Sequence, residues 1–191
     1  MNIYLKAEFD RLNKLLISVG IEFPDTDGAK RRDFRRIRKK TGIELFGDLV
    51  ELYEIRNGSE GKLVFVVITD GWVPCEFLSV NQAIDSWGFY SSNPADSFER
   101  ANRQYIGIQE SPPRDVRIQQ EPWWNKAWFP FAEFNGTQIF LDVDPSPSGL
   151  VGQIIAYQHD PDAIHYVAPD FLSFLKKSND LLEKHSQELF Q

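Results

Sequence analysis

A chain of 191 residues, 42% hydrophobic and 26% charged, has the composition of a soluble globular protein, which excludes wholesale disorder, and the length suits one domain better than two. No apolar run reaches the roughly 18 residues of a membrane span, and the single cysteine, Cys75, excludes an intrachain disulfide and any zinc site built on cysteines. The net charge of −7 is unevenly divided: Lys30 to Lys40 holds eight basic residues and one acid, leaving 13 basic against 27 acidic residues elsewhere, with no lysine or arginine at all from Ala127 to Leu175. Such a surface repels nucleic acid and attracts basic partners. The first residues, Met1-Asn-Ile-Tyr-Leu-Lys-Ala-Glu, lack the layout of a signal peptide, so the expected location is cytoplasmic.

Leu5, Phe9, Leu12, Leu16 and Val19 recur at spacings of three and four, which predicts a first helix closed by Gly20. A second helix is expected through the basic run, capped by Asp27, with Phe34, Ile37 and Thr41 on a thin inner face and Gly42 interrupting. A third is expected from Leu45, Phe46, Leu49, Leu52 and Tyr53, ending before Asn57-Gly58. From Leu63 to Ile68 the β-branched run predicts a buried strand, and Asp70-Gly71 a turn into a second strand, Trp72 to Val80, interrupted by Pro74. Asn81 to Gly88 reads as a short helix capped by Asn81.

Residues 89–122 form a proline-punctuated excursion with one small strand expected at Tyr105 to Gln109. Four strands follow: Ala127 to Phe134, then Thr137 to Val143 after the Asn135-Gly136 hairpin signal, then Val151 to Gln158 and Ile164 to Ala168. Pro169 opens a final helix whose stripe is Phe171, Phe174, Leu175, Leu181, Leu182 and Leu189. Helices, then an antiparallel meander, then a helix make an α+β chain rather than alternating βαβ units.

Trp128-Phe129-Pro130-Phe131-Ala132, Phe134-Asn135-Gly136-Thr137, Ile139-Phe140-Leu141-Asp142-Val143-Asp144-Pro145, Gly149 and Gly152-Gln153-Ile154-Ile155 together resemble the core signature of the SUKH superfamily. So does the ending, Tyr166-Val167-Ala168 before Phe171-Leu172-Ser173-Phe174-Leu175, and so does Leu49-Val-Glu-Leu-Tyr53 leading into Asn57-Gly58. The chain departs from the pattern in having no proline ahead of that helix, and 89–122 matches no part of it. The resemblance implies a single domain over 1–191: an antiparallel sheet of about six strands with N-terminal helices and a C-terminal helix packed around it. It assigns structural roles to Trp128, Pro130, Gly136, Pro145, Gly149, Gly152 and Gln153. It implies no catalysis, and no cofactor is expected. Bacterial members of the superfamily are mostly immunity proteins that neutralise toxins, often nucleases; yeast members regulate cell-wall synthesis through protein contacts.

Each chemistry-bearing cluster has two readings. Asp142 and Asp144, two apart on a strand, share a face and could form a metal or acid/base site with His159, Asp160 and Asp162. The competing reading is a solvated acidic edge whose side chains bond the following backbone. Cys75 could be a nucleophile with His159 or His165 as base, but nothing around it resembles a nucleophile elbow, and Glu76 beside it would raise the thiol pKa. Gly58-Ser-Glu-Gly61 has no lysine to serve as a phosphate loop. The basic run has no interleaved aromatics and reads as a solvated helix face rather than a nucleic-acid site. Trp123 and Trp124 either anchor an interface or fill the core.

The expectation taken forward has no catalytic residue and no metal. It is a protein-binding chain meeting a basic toxin domain through Asp142, Asp144, Asp160 and Asp162, with Trp123 or Trp124 exposed beside a surface excursion that sets partner choice. The alternatives are a wall-synthesis regulator or scaffold, and, from another class, a small hydrolase using the Asp142 and Asp144 edge.

Overall fold

The computed structural model describes residues 2–92, 113–159 and 162–189. Among them are five helices, α1 (Ile3–Ser18), α2 (Arg31–Thr41), α3 (Asp48–Ile55), α4 (Val80–Ser91) and α5 (Phe171–Leu189). Six strands, β1 (Leu63–Ile68), β2 (Trp72–Phe77), β3 (Trp128–Phe134), β4 (Thr137–Asp142), β5 (Gln153–Gln158) and β6 (Ala163–Ala168), pair antiparallel in sequence order. The α+β meander is as the sequence predicts. No helix among the described residues is long and apolar enough to cross a membrane.

The helix ends show how local chemistry competes. Asn2 caps α1 by accepting from the Tyr4 amide at 3.0 Å. The expected cap at Asp27 is not used: α2 starts after Lys30, whose amide donates to Asp33 at 2.8 Å, and it ends at Gly42 with φ +77°. In α4 the cap is Ser79 rather than Asn81, because Ser79 and Gln82 satisfy each other's backbone amides in a capping box. The helix also runs on to Ser91, past Gly88. The Asn57-Gly58 turn locks α3 to the β2–α4 junction: Asn57 Oδ1 accepts from the Val80 amide at 2.8 Å, and a Cβ on Gly58 would lie 2.7 Å from the Ser79 nitrogen.

Alternation along β4 and β5 sends Ile139, Leu141, Ile154 and Ala156 to one face, where they join Leu5, Leu49, Tyr53, Phe65 and Phe174 in the main core. Phe140, Ile155 and Tyr157 point to the other face, where Trp128, Ile164, Ile118 and Trp123 form a second core. All of β4 is therefore buried. Pro130 lies within the sheet beside a register irregularity between Pro130 and Ala132, the kind of place where a ladder tolerates a missing N–H.

The sheet curls. Asp70, in the β1–β2 turn, and Gln158, at the end of β5, exchange hydrogen bonds of 3.0 and 2.8 Å. Helix α5 bridges the two outer strands. Ser178 Oγ accepts from the Val66 amide of β1 at 2.9 Å, and Lys177 Nζ donates to the Val167 carbonyl of β6 at 2.6 Å. Groups that would otherwise leave open strand edges are thereby satisfied.

The proposed strand at 105–109 lies outside the described residues. The described end of the excursion is not the surface loop the sequence suggests. Arg114 and Ile118 are buried, and the segment from 113 to 124 covers the second face of the sheet. Its prolines and lack of periodicity hid this, because a covering segment without regular structure contributes isolated anchors rather than a stripe.

Candidate functional site

The four carboxylates expected to form one rim have different fates. Asp142 is fully buried, so it cannot meet a partner. Its Oδ2 accepts from Gln153 Nε2 at 2.9 Å and its Oδ1 from the Asp144 amide at 3.0 Å. The same Gln153 Nε2 donates to the Arg117 carbonyl at 2.9 Å, and Gln153 Oε1 accepts from the Leu150 amide at 3.2 Å.

Glycines make room for this knot. A Cβ on Gly149 would lie 2.3 Å from the Arg117 carbonyl oxygen and 2.7 Å from the Cβ of Pro145. Gly152, at φ +92°, would press on the Phe46 ring at 2.9 Å. The signature Asp142–Pro145–Gly149–Gly152–Gln153 thus closes the β4–β5 loop and grips the covering segment at Arg117. Asp142 ends a strand whose alternation is legible, but the groups that cover it come from residues 117 and 153.

Burial pushes the Asp142 carboxyl up to about 6, against the hydrogen bonds from Gln153 and the Asp144 amide, with the Asp144 charge adding to the rise. A folded-state pKa above the unfolded one means the native protein holds the extra proton between about pH 4 and 6. This group's contribution to stability therefore falls as pH rises through that window, by up to roughly 3 kcal/mol. We expect the cost of Asp142→Asn, measured by denaturant unfolding, to shrink from pH 4 to pH 7. A cost that grows over that range would mean that the carboxylate is stabilised rather than penalised.

Asp144 is exposed and accepts from Asn125 Nδ2 at 3.1 Å. The Asp162 side chain is only 9% exposed. Its Oδ1 accepts from the Tyr157 hydroxyl at 2.5 Å and lies 2.8 Å from His159 Nδ1, which ties β5 to the start of β6. Asp160 lies outside the described residues. The rim thus keeps Asp144 as its freely exposed carboxylate among the described three. No group of three or more His, Cys, Asp or Glu among the described residues is placed to hold a metal.

Of the paired tryptophans, Trp123 is 1% exposed, which removes it from any partner surface. The Arg114 guanidinium lies over its ring at 4.4 Å and donates to its carbonyl at 3.0 Å, so a residue nine positions earlier folds back to cover it. Trp124 is half-buried and packs against Tyr90, tilted, and Tyr157, edge-on, at centroid distances of 4.5 and 4.7 Å. Trp128 fills the second core beside Phe140. Asn135 and Gly136 both adopt positive φ, 46° and 84°, as a tight hairpin requires.

Cys75 is buried. Desolvation, with the charges of Glu133 and Glu76, raises its thiol pKa far above the ordinary range, which keeps it protonated. In the sheet order β3 and β4 lie between it and the β5–β6 hairpin that carries His159 and His165.

Sequence reasoning missed two features. Glu76 and Glu133 are direct cross-strand partners, and burial together with the Glu133 charge raises the Glu76 pKa. The strand predictions contained this pair, but 50-odd intervening residues hid the register. The second is an opening beside α2: Arg31, Phe34, Arg35 and Arg38, with Glu44, Leu45 and Val50, line a notch of about 360 Å³.

The profile of the SMI1 / KNR4 family (SUKH-1) matches residues 28–177. A stretch of 99 residues is 30% identical to a protein named KNR4/SMI1 homolog 2 from Debaryomyces hansenii, covering 47% of this chain but only 16% of that relative. The family match spans α2 through the first turns of α5 and includes the loop-locking signature. The chain belongs to the SMI1/KNR4 (SUKH-1) family.

Proposed function

We propose that this chain is a non-catalytic binding protein that neutralises a cognate toxin domain by contact. The observation that supports a binding role is the use made of the signature residues. Asp142, Gly149, Gly152 and Gln153 hold a loop and a covering segment together, and Cys75 is buried and protonated. Residues fixed by such duties leave the surface free to vary among partners without cost to the fold. The toxin reading is supported by the bacterial members that the family resemblance brings with it. A basic toxin surface suits the acidity outside α2, although Asp142 and Trp123 take no part in contacting it.

A second reading, a regulator or scaffold in cell-wall synthesis, is favoured by the match to a yeast relative named for KNR4/SMI1. The test is co-expression with a toxin encoded immediately upstream of this chain's gene. We expect restored growth, a stable complex, and an association rate that falls as salt rises, because steering acts through screened charges. Growth arrest unrelieved by the chain, with no complex formed, rejects the toxin reading in favour of the regulator. An on-rate indifferent to ionic strength rejects the basic partner.

A further inference from the structure

We propose that the arginine-framed notch on α2 is a docking surface for a short acidic protein segment carrying one apolar anchor. The inference is independent of the toxin reading.

Arg31, Phe34, Arg35 and Arg38 stand at i, i+3, i+4 and i+7 and so share one helix face. The notch they line is completed by Glu44 and Leu45 from the α2–α3 link and by Val50 of α3. Its floor is apolar and fixed: Phe34 and Leu45 are half-buried and rest on the main core, and Val50 is half-buried beside them. The helix is held from behind by fully buried Ile37. The rim is exposed; its α2 side is cationic, and Glu44 on the other side is engaged by Arg38.

Among the described residues, the ion pairs α2 makes are Arg36 with Asp33 and Arg38 with Glu44. The Arg38–Glu44 pair is 3.4 Å long, with side chains 68% and 73% exposed, and such a pair is readily exchanged for another carboxylate. Arg31 and Arg35 are exposed.

An apolar floor edged along α2 by three guanidinium groups is complementary to an apolar side chain flanked by carboxylates. The anchor would fill the floor while the acids meet the arginines in charge-assisted hydrogen bonds. A volume of about 360 Å³ accommodates a side chain and its immediate backbone. An extended nucleic acid fits worse: the chain outside residues 30–40 carries 13 basic against 27 acidic residues, which repels a polyanion running past the helix.

The test uses the full chain and a short fluorescein-labelled peptide of glutamates around one central phenylalanine, read by anisotropy at physiological salt. We expect saturable binding, weakened about tenfold when the peptide's phenylalanine is replaced by serine. We also expect it weakened at least about tenfold by Arg31→Glu with Arg35→Glu. A control pair on the same helix but off the rim, Lys39→Glu with Lys40→Glu, should change binding by less than about threefold. Both pairs are exposed, so circular dichroism and the thermal midpoint should stay unchanged, and the peptide substitution does not touch the fold. Equal weakening by the two pairs, or indifference to the phenylalanine, would show a diffuse basic surface and overturn the proposal. So would tighter binding of an oligothymidylate of matched charge. Concentration-dependent self-association abolished by Arg31→Glu with Arg35→Glu would overturn it too, by assigning the notch to a second copy of the chain.

Discussion

Replacing Trp123 with alanine should destabilise the protein by about 3 to 5 kcal/mol in urea unfolding followed by circular dichroism. The indole is 1% exposed and lies in the second core with Ile118, Trp128, Phe140, Ile155, Tyr157 and Ile164. Its removal leaves a cavity that a β-sheet cannot collapse to fill. It also uncovers the Arg114 guanidinium, which stacks on that ring and donates to the carbonyls of Gln119 and Trp123. Burial lowers the Arg114 pKa to about 10, so the group stays charged at neutral pH and needs these partners. Trp124→Ala, at a half-buried position, should cost about 1 to 2 kcal/mol. If Trp123→Ala cost less than Trp124→Ala, the segment from 113 to 124 would be a loosely attached surface loop and the second core would not be a source of stability.

Gln153→Leu should also be damaging, at about 2 to 4 kcal/mol near neutral pH. Leucine is close in size, so the loss is one of hydrogen bonding rather than volume. The Asp142 carboxylate, the Arg117 carbonyl and the Leu150 amide each lose a partner that Gln153 supplies; an unpaired buried group costs about 1 to 3 kcal/mol, so the buried carboxylate carries most of the loss and the two part-buried backbone groups add less. The substitution also has a pH signature. Without the Gln153 donor the charged form of Asp142 is less favoured, so a pKa already raised by burial rises further. At pH 5 the carboxyl is largely protonated with or without Gln153. At pH 8 the variant must bury a less supported charge, so the loss of stability should be larger at pH 8 than at pH 5. An equal loss at both would falsify the coupling between Gln153 and Asp142.

Much of the architecture is written locally. The α1 stripe of Leu5, Phe9, Leu12 and Leu16, the β-branched run of β1 and the stripe of α5 each declare their period within one element, and the structure forms all three. Asn135-Gly136 is legible for a stronger reason: two consecutive residues must take positive φ, and few residue pairs do so readily. The caps were less legible because several acceptors compete within a few residues. Asp27 and Asn81 are reasonable caps, but Asp33 and the Ser79–Gln82 box close better geometry.

The candidate site was legible as a motif but not in its role. Asp142 and Asp144 read alike in sequence, two acids on one strand face. One is buried and the other exposed, because Gln153 and the Arg117 carbonyl close over Asp142 only once β4, β5 and the covering segment are assembled. The two tryptophans divide in the same way, Trp123 under Arg114 and Trp124 half in solvent. The Glu76–Glu133 pairing and the α2 notch arise from register and helix placement that no local window contains. The sequence by itself determined the elements, their order and the family, because backbone propensity and side-chain periodicity act over a few residues. The tertiary structure alone decided which acids and aromatics face solvent, because burial depends on what a distant segment lays over them.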